Sequence, residues 1–288
     1  PLQAKSQTAQ YTKDSREMPH SSTHDTAGPP PATRPAEGGD RRPTDHQLPA
    51  MDSPTPIDTE IAVGTHLIGV RAGDKGTVCA GLASTLGAVA TADERRMVKE
   101  MVGQPLRNAA RHLLSDHAFS ISLGAAALNA GIIPPRDQPD LEASRIMAEK
   151  GREVETVLVG EFPFTDRLRR QVKTLHLFEL RDVPGRTPLA KWDEILGRCR
   201  VLGLTGTTLL TRAMAGYIEK APRAFKIIIG PTTPLSPVLF EYGADVLAGC
   251  EVVTPDPVFA GIRQGMSFRQ LKKLGVRFVA WPKKAACC

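Results

Sequence analysis

Residues 154–178 read VETVLVGEFPFTDRLRRQVKTLHLF. An apolar strand runs to Gly160, a turn follows, and a segment of helical spacing leads into a second apolar strand. The same rhythm fills the C-terminal half. Strands are expected at 156–159, 175–179, 201–204, 224–229, 245–248 and 276–280. Helical segments lie between them at 164–173, 189–199, 208–219, 235–242 and 257–274, the last in two pieces. Short apolar strands alternating with helices imply right-handed crossovers and a parallel sheet covered on both faces. The expected fold is α/β, a Rossmann-like doubly wound parallel sheet over residues 139–288. Ligands of such sheets sit outside the carboxyl ends of the strands, where strand order reverses. The turn after each strand is therefore where chemistry is sought.

Upstream, residues 51–138 read as a smaller α+β domain. Strands at 61–63 and 66–70 flank Gly64-Thr65, and a third at 77–80 follows the Gly- and Asp-bearing turn 72–76. Helices are expected at 92–102, 106–114 and 120–132, the last a small-residue apolar segment suited to burial. Pro134-Pro135 end it, and 137–140 link it to a helix at 141–150. The first fifty residues differ in kind, with eight prolines and no Val, Ile, Phe, Trp or Cys. Such a segment cannot bury enough apolar surface to offset its ordering entropy, so a disordered tail is expected. Met51 stands where the composition changes, and a native start there is one expectation.

Charge and cysteine usage narrow the function classes. The tail carries six basic and six acidic residues, so the net charge of +6 belongs to the body. The basic residues are scattered and interleave with few aromatics, which disfavours a nucleic-acid partner. No apolar run approaches the ~20 residues that span a bilayer, and no secretory apolar core is present. A cytoplasmic protein without a membrane partner is expected. Five cysteines at 79, 199, 250, 287 and 288 form no CxxC pair, which fits reduced thiols rather than a disulfide framework.

Five turns carry candidate ligand-binding residues. After the first strand of the larger domain come Gly160, Glu161, Phe162, Pro163 and Phe164. A dinucleotide site needs G-x-G-x-x-G there, so that bare backbone meets the pyrophosphate. Two phenylalanines and a proline stand in its place, and ordinary NAD binding is disfavoured. Core packing is the plain alternative for Phe162 and Phe164. The second strand ends at Glu179, nineteen residues after Gly160, the offset of a ribose-binding acid; a local salt bridge with Arg181 explains it equally well. The third runs into Thr205-Gly206-Thr207-Thr208, hydroxyls and free N–H groups that suit a polar head group or simply an N-cap. The fourth ends in Gly230-Pro231-Thr232-Thr233-Pro234-Leu235-Ser236-Pro237, a turn stiffened by prolines and bearing hydroxyls, as a preorganised site requires. The fifth ends in Gly249-Cys250-Glu251, where an apolar-flanked Cys250 reads as packing before it reads as a nucleophile.

Metal motifs are scarce. The seven histidines show no HxH or HExxH spacing, the one HxxxH pair, His20 and His24, lies with a third histidine in the tail, and Cys287-Cys288 supply at most two ligands. Walker, kinase and nucleophile-elbow signatures are equally missing from the sequence.

The order of these turns resembles one family. GEFPF at 160–164, Glu179, TGTT at 205–208, GPTTPLSP at 230–237 and Gly243-Ala244-Asp245 with Gly249 are similar to the heavy-metal chelation domain family of prokaryotes. The resemblance spans roughly residues 55–281. It implies a Rossmann-like domain preceded by one resembling the N-terminal domain of enolase, which residues 54–133, including Ala126-Ala127-Leu128-Asn129-Ala130, match. It also implies a cleft between the domains, lined by the Gly160, Thr205 and Gly230 turns and by Asn129 from the other side. Asn129 attracts notice independently, because an amide in an apolar helix must find partners; a helix-to-backbone bond would satisfy it as well as a ligand.

Three functions compete. The first is handling of a transition metal or of a metal–chelate complex, the metal arriving within an organic chelator. The second is an enzyme acting on a small anionic or heterocyclic substrate, with Glu161, Glu179 or Asp74 for acid–base work. A cofactor-dependent oxidoreductase comes last, because the glycine turn is blocked. Exposed apolar surface on the smaller domain would suit a homodimer.

Overall fold

The computed structural model describes residues 59–73, 78–133 and 142–283. The tail, Met51, Asp74, Pro134-Pro135, the 137–140 segment and Cys287-Cys288 lie outside the described residues.

The chain opens with an antiparallel meander of β1 (Glu60–Val63), β2 (Leu67–Gly73) and β3 (Val78–Ser84), in which Ile61 faces Val70 and Val70 faces Gly81. Three helices follow: α1 (Ala92–Met101), α2 (Leu106–Ala110) and α3 (Ala118–Gly131). Thr91 starts α1 through a reciprocal capping box with Glu94. Helix α3 is buried along most of its length and lies on β3. The contact is so close that a Cβ on Gly81 would fall 2.2 Å from the Ala130 nitrogen. Only glycine fits there, which explains the small-residue composition of the helix opposite.

The second half runs α4 (Ala143–Gly151), β4 (Glu155–Val159), α5 (Thr165–Arg169), β5 (Thr174–Phe178), α6 (Trp192–Arg198) and β6 (Val201–Thr205). It continues through α7 (Thr207–Leu210), α8 (Met214–Lys220), β7 (Phe225–Ile229), α9 (Val238–Glu241) and β8 (Val246–Val252). Helices α10 (Pro255–Arg263) and α11 (Phe268–Gly275) then lead to β9 (Val276–Pro282). The six strands form one sheet in the order β5-β4-β6-β7-β8-β9. Its core divides between the two faces. Leu202, Leu204, Ile228 and Leu247 pack on one side with Trp192, Leu196 and Phe240. Leu158, Ile227 and Val246 pack on the other with Met147 and Leu168. The fold is thus mixed α/β with helices on both faces, as the strand–helix alternation requires.

One expectation needs correction: the sheet is mostly, not wholly, parallel. Strand β9 runs antiparallel to β8, with Val252 opposite Val276 and Val246 opposite Pro282. The reason lies in its connection. Helices α10 and α11 pack on each other, Leu271 and Leu274 crowding Gly261, and together they return the chain to the end of β8 that it had left. A single crossover helix would have carried it to the opposite end. Strand order reverses between β4 and β6, because β5 lies on one side of β4 and β6 on the other.

The two sheets are joined closely. Ala62, Leu67 and Leu82 of the meander share a core with Val252, Val258, Phe259, Ile262, Leu271 and Val276. Arg71 pairs with Glu60 and Asp256 and lies 5.3 Å over the Phe259 ring, fastening β2 to α10.

Candidate functional site

A cavity of about 220 Å³ lies at the carboxyl ends of β4, β6 and β7, beside the point where strand order reverses. The larger sheet lines it with Phe162, Thr205, Thr207, Ile229, Gly230, Pro231 and Thr232. His66, Leu67 and Ser84 line it from the meander, and Ser267 and Phe268 from the start of α11.

The turn after β7 is fixed from three directions. The Gly230 amide donates to Ala248 O at 2.9 Å, and Thr233 N–H closes the turn onto Gly230 O at 3.0 Å. Thr232, fully buried, accepts the Ser84 amide on Oγ1 at 3.0 Å. Asn129 donates from Nδ2 to Leu82 O at 2.8 Å and to Pro231 O at 3.4 Å. Asn129 therefore ties α3 to β3 and to the proline turn through backbone carbonyls, and it is not one of the residues that line the cavity.

The turn after β6 lies against this one through bare backbone. The Gly206 amide donates to Ile229 O at 2.7 Å, and a Cβ on Gly206 would sit 2.7 Å from both the nitrogen and Oγ1 of Thr233. Gly249 meets the same turn from β8, its missing Cβ facing Thr233 O at 2.9 Å. Thr205 and Thr207 share a hydrogen bond between their hydroxyls at 3.0 Å, and Thr207 N–H reaches Thr205 Oγ1 at 3.4 Å. Thr208 turns inward, donating to Thr205 O at 2.7 Å. Gly206 occupies the cap position of α7 without a side-chain bond, so the capping role foreseen for a threonine falls to Thr205 alone, through that long contact.

The turn after β4 divides in two. Phe162 and Phe164 stack at 5.0 Å between ring centroids, and Phe162 both packs on the core and lines the cavity. Gly160 sits directly behind Thr205, whose Cγ2 is 3.0 Å from the Cβ that Gly160 lacks. Glu161 and Glu179 point elsewhere. Arg181 bonds Glu179 through its side chain and its amide, both at 3.0 Å, and reaches Glu161 at 3.3 Å. The Glu161 amide adds a donor to Glu179 at 3.1 Å. Burial alone would raise the Glu179 carboxyl, but these donors and the Arg181 charge outweigh it and hold it below the usual carboxylate range. Of the two explanations for Glu179, the pairing with Arg181 is present in the structure.

Two of the thiols, Cys199 and Cys250, are poor ligands. Burial pushes Cys250 up to about 12, and the neighbouring Glu251 adds to the rise. Burial likewise raises Cys199 to about 11. Among the described residues no group of three or more His, Cys, Asp or Glu side chains is placed to hold a metal ion. The cavity offers hydroxyls, two phenyl rings, aliphatic groups and one imidazole. That donor set does not fit a bare transition metal, which draws on clustered imidazole, thiolate or carboxylate ligands.

Six cavity residues escaped sequence reading. Ile229 closes a strand and reads as core. His66, Leu67 and Ser84 belong to a domain whose docking no local pattern encodes. Ser267 carried a signal, since Ser-Phe-Arg-Gln is a capping box that starts α11, though nothing local says what that helix end faces.

Two family models match the chain, over residues 53–132 and 142–280, and both bear the description "Putative heavy-metal chelation". A comparison with curated proteins finds no match. Among solved structures, a protein of unknown function from Desulfitobacterium hafniense is similar at 24% identity and a TM-score of 0.69. The match covers 83% of this chain and 98% of that one. A protein of unknown function from Pyrococcus horikoshii is similar at 16% identity and a TM-score of 0.66, over 81% of this chain and 96% of that one. Likeness at these identities speaks for the fold alone. With both halves matched by models of one description, the chain belongs to the family labelled "putative heavy-metal chelation".

Proposed function

We propose that this protein binds a small organic ligand in the cavity between the meander and the strand ends, and that any metal it handles arrives inside an organic chelate. The observation that carries this reading is the chemistry of the wall: Ser84, Thr205, Thr207 and Thr232 hydroxyls beside Phe162 and Phe268, with no carboxylate or thiol among the lining residues. Hydroxyls and phenyl rings recognise organic matter, whereas a naked heavy-metal ion calls for a charged ligand cluster. The volume, below the roughly 300–1,000 Å³ of drug-sized sites, suits a small molecule. An enzymatic role would draw on Glu161 and Glu179, yet both are engaged with Arg181 away from the wall, so the geometry favours binding. Titrating 15N-labelled protein with a deproteinised extract of its host cells tests the reading. Amide shifts concentrated at Gly206, Gly230 and Thr232 are expected. Shifts confined to other regions, or none, would contradict it.

A further inference from the structure

The hydroxyls of the cavity can be counted for protons, and the count has a sign. Each hydroxyl has one proton to donate and two lone pairs to accept with. Thr232 Oγ1 accepts the Ser84 amide, and its own proton has no acceptor among the described residues although the residue is fully buried. Ser84 Oγ accepts the Leu86 amide at 3.1 Å, and among the described residues its proton is likewise without an acceptor. Thr205 and Thr207 have one hydrogen bond between their two hydroxyls, so whichever donates, the other's proton is left over. Three hydroxyl protons at one cavity thus await acceptors, and all four side chains belong to the lining. Ser267 is spoken for: it donates to Gln270 Oε1 at 2.7 Å.

The chain segment that meets the cavity at Ser267 and Phe268 is basic in sequence, although its Arg263, Lys272 and Arg277 pair with Glu60, Glu142 and Glu251. Residues 257–288 contain Arg263, Arg269, Lys272, Lys273, Arg277, Lys283 and Lys284 and no Asp or Glu. Helix α11 belongs to this segment, and it begins at the cavity, presenting its positive end there.

Resting on the cavity being the ligand site, we propose that the anchored end of the ligand is an anion, a carboxylate or comparable oxyanion, which takes the free protons of Ser84, Thr232 and the Thr205–Thr207 pair. A carboxylate only accepts hydrogen bonds, so it satisfies donors that an ammonium group or a bare metal cation would leave unpaired. A metal would then enter as the complex of a carboxylate-bearing chelator.

The probes are citrate, inorganic phosphate and ethylenediamine, each titrated calorimetrically and by amide shifts into the full chain and into Thr232→Ser, Thr232→Val and Ser84→Ala. Citrate or phosphate is expected to bind saturably and move the Gly206 and Gly230 amides, while the diamine does not. Affinity should fall roughly ten- to hundredfold in Thr232→Val, the loss of one hydrogen bond to a charged group, and return in Thr232→Ser. Ser84→Ala, which keeps the Thr232 hydroxyl, should lower it separately. Anions that move neither amide, or that bind Thr232→Val and Ser84→Ala as well as the wild type, overturn the proposal. If the diamine alone moves those amides, the cavity remains the ligand site and only the anionic class falls. If host extract and probes alike leave them unmoved, the proposed function falls as well.

Discussion

The Ser84 amide donates to Thr232 Oγ1 at 3.0 Å, across 148 residues of chain. The bond ties the last residue of β3 to the turn after β7, so one buried hydroxyl, with Asn129 beside it, helps hold the meander to the larger sheet at the cavity. Thr232→Val keeps the volume and removes the acceptor. It is expected to destabilise the protein by about 1–3 kcal/mol, the cost of leaving a buried donor unpaired, whereas Thr232→Ser should cost less. Urea unfolding of the three proteins checks this. Asn129→Ala in the same background should be non-additive, because both side chains hold one turn.

Gly206→Ala tests the contact between the two threonine turns. The new methyl would meet the Thr233 nitrogen, which is backbone and cannot swing aside. A loss of about 1–3 kcal/mol is expected from overpacking, together with displaced Gly230 and Thr232 amide signals. An unchanged stability and spectrum would show that the turns do not abut.

Glu179 predicts an acid limb. Its folded carboxyl titrates below the ordinary value of 4.5, because Arg181 and two amides outweigh burial. A depressed folded pKa stabilises fully above the unfolded value, and that contribution is lost as pH falls through the folded one. Stability of the wild type should therefore decline more steeply below about pH 4.5 than that of Glu179→Gln. Parallel pH profiles would contradict the assignment.

The raised thiols predict silence. With Cys199 at about 11 and Cys250 at about 12, neither of these two thiols is appreciably ionised at neutral pH. Iodoacetamide should label neither until the chain is unfolded, as read by peptide mass spectrometry. Rapid native labelling of Cys250 would make it a candidate nucleophile again.

The sheet was legible because its signal is local. Strands such as 156–159 and 201–204 are apolar runs with helical spacing between them, and the structure places β4 and β6 there. The turns GEFPF, TGTT and GPTTP were legible for the same reason, and Phe162, Thr205 and Thr232 do come together. What local pattern could not encode was direction and docking. Strand β9 turns back because α10 and α11 pack on each other, a tertiary fact. Ser84 and His66 reach the cavity because the meander docks on α10 through contacts such as Arg71 over Phe259, and no residue spacing announces that. Glu179 shows the converse case: its offset from Gly160 fits a ribose contact, but the guanidinium two residues away takes its carboxylate.

The most direct test of the central claim is native mass spectrometry of the protein purified from its own host, with elemental analysis of the same sample. The account predicts a bound organic mass, any metal being present only together with it, and loss of that mass in Thr205→Val and Thr232→Val. A stoichiometric metal ion without an organic companion, retained by both variants, would contradict it.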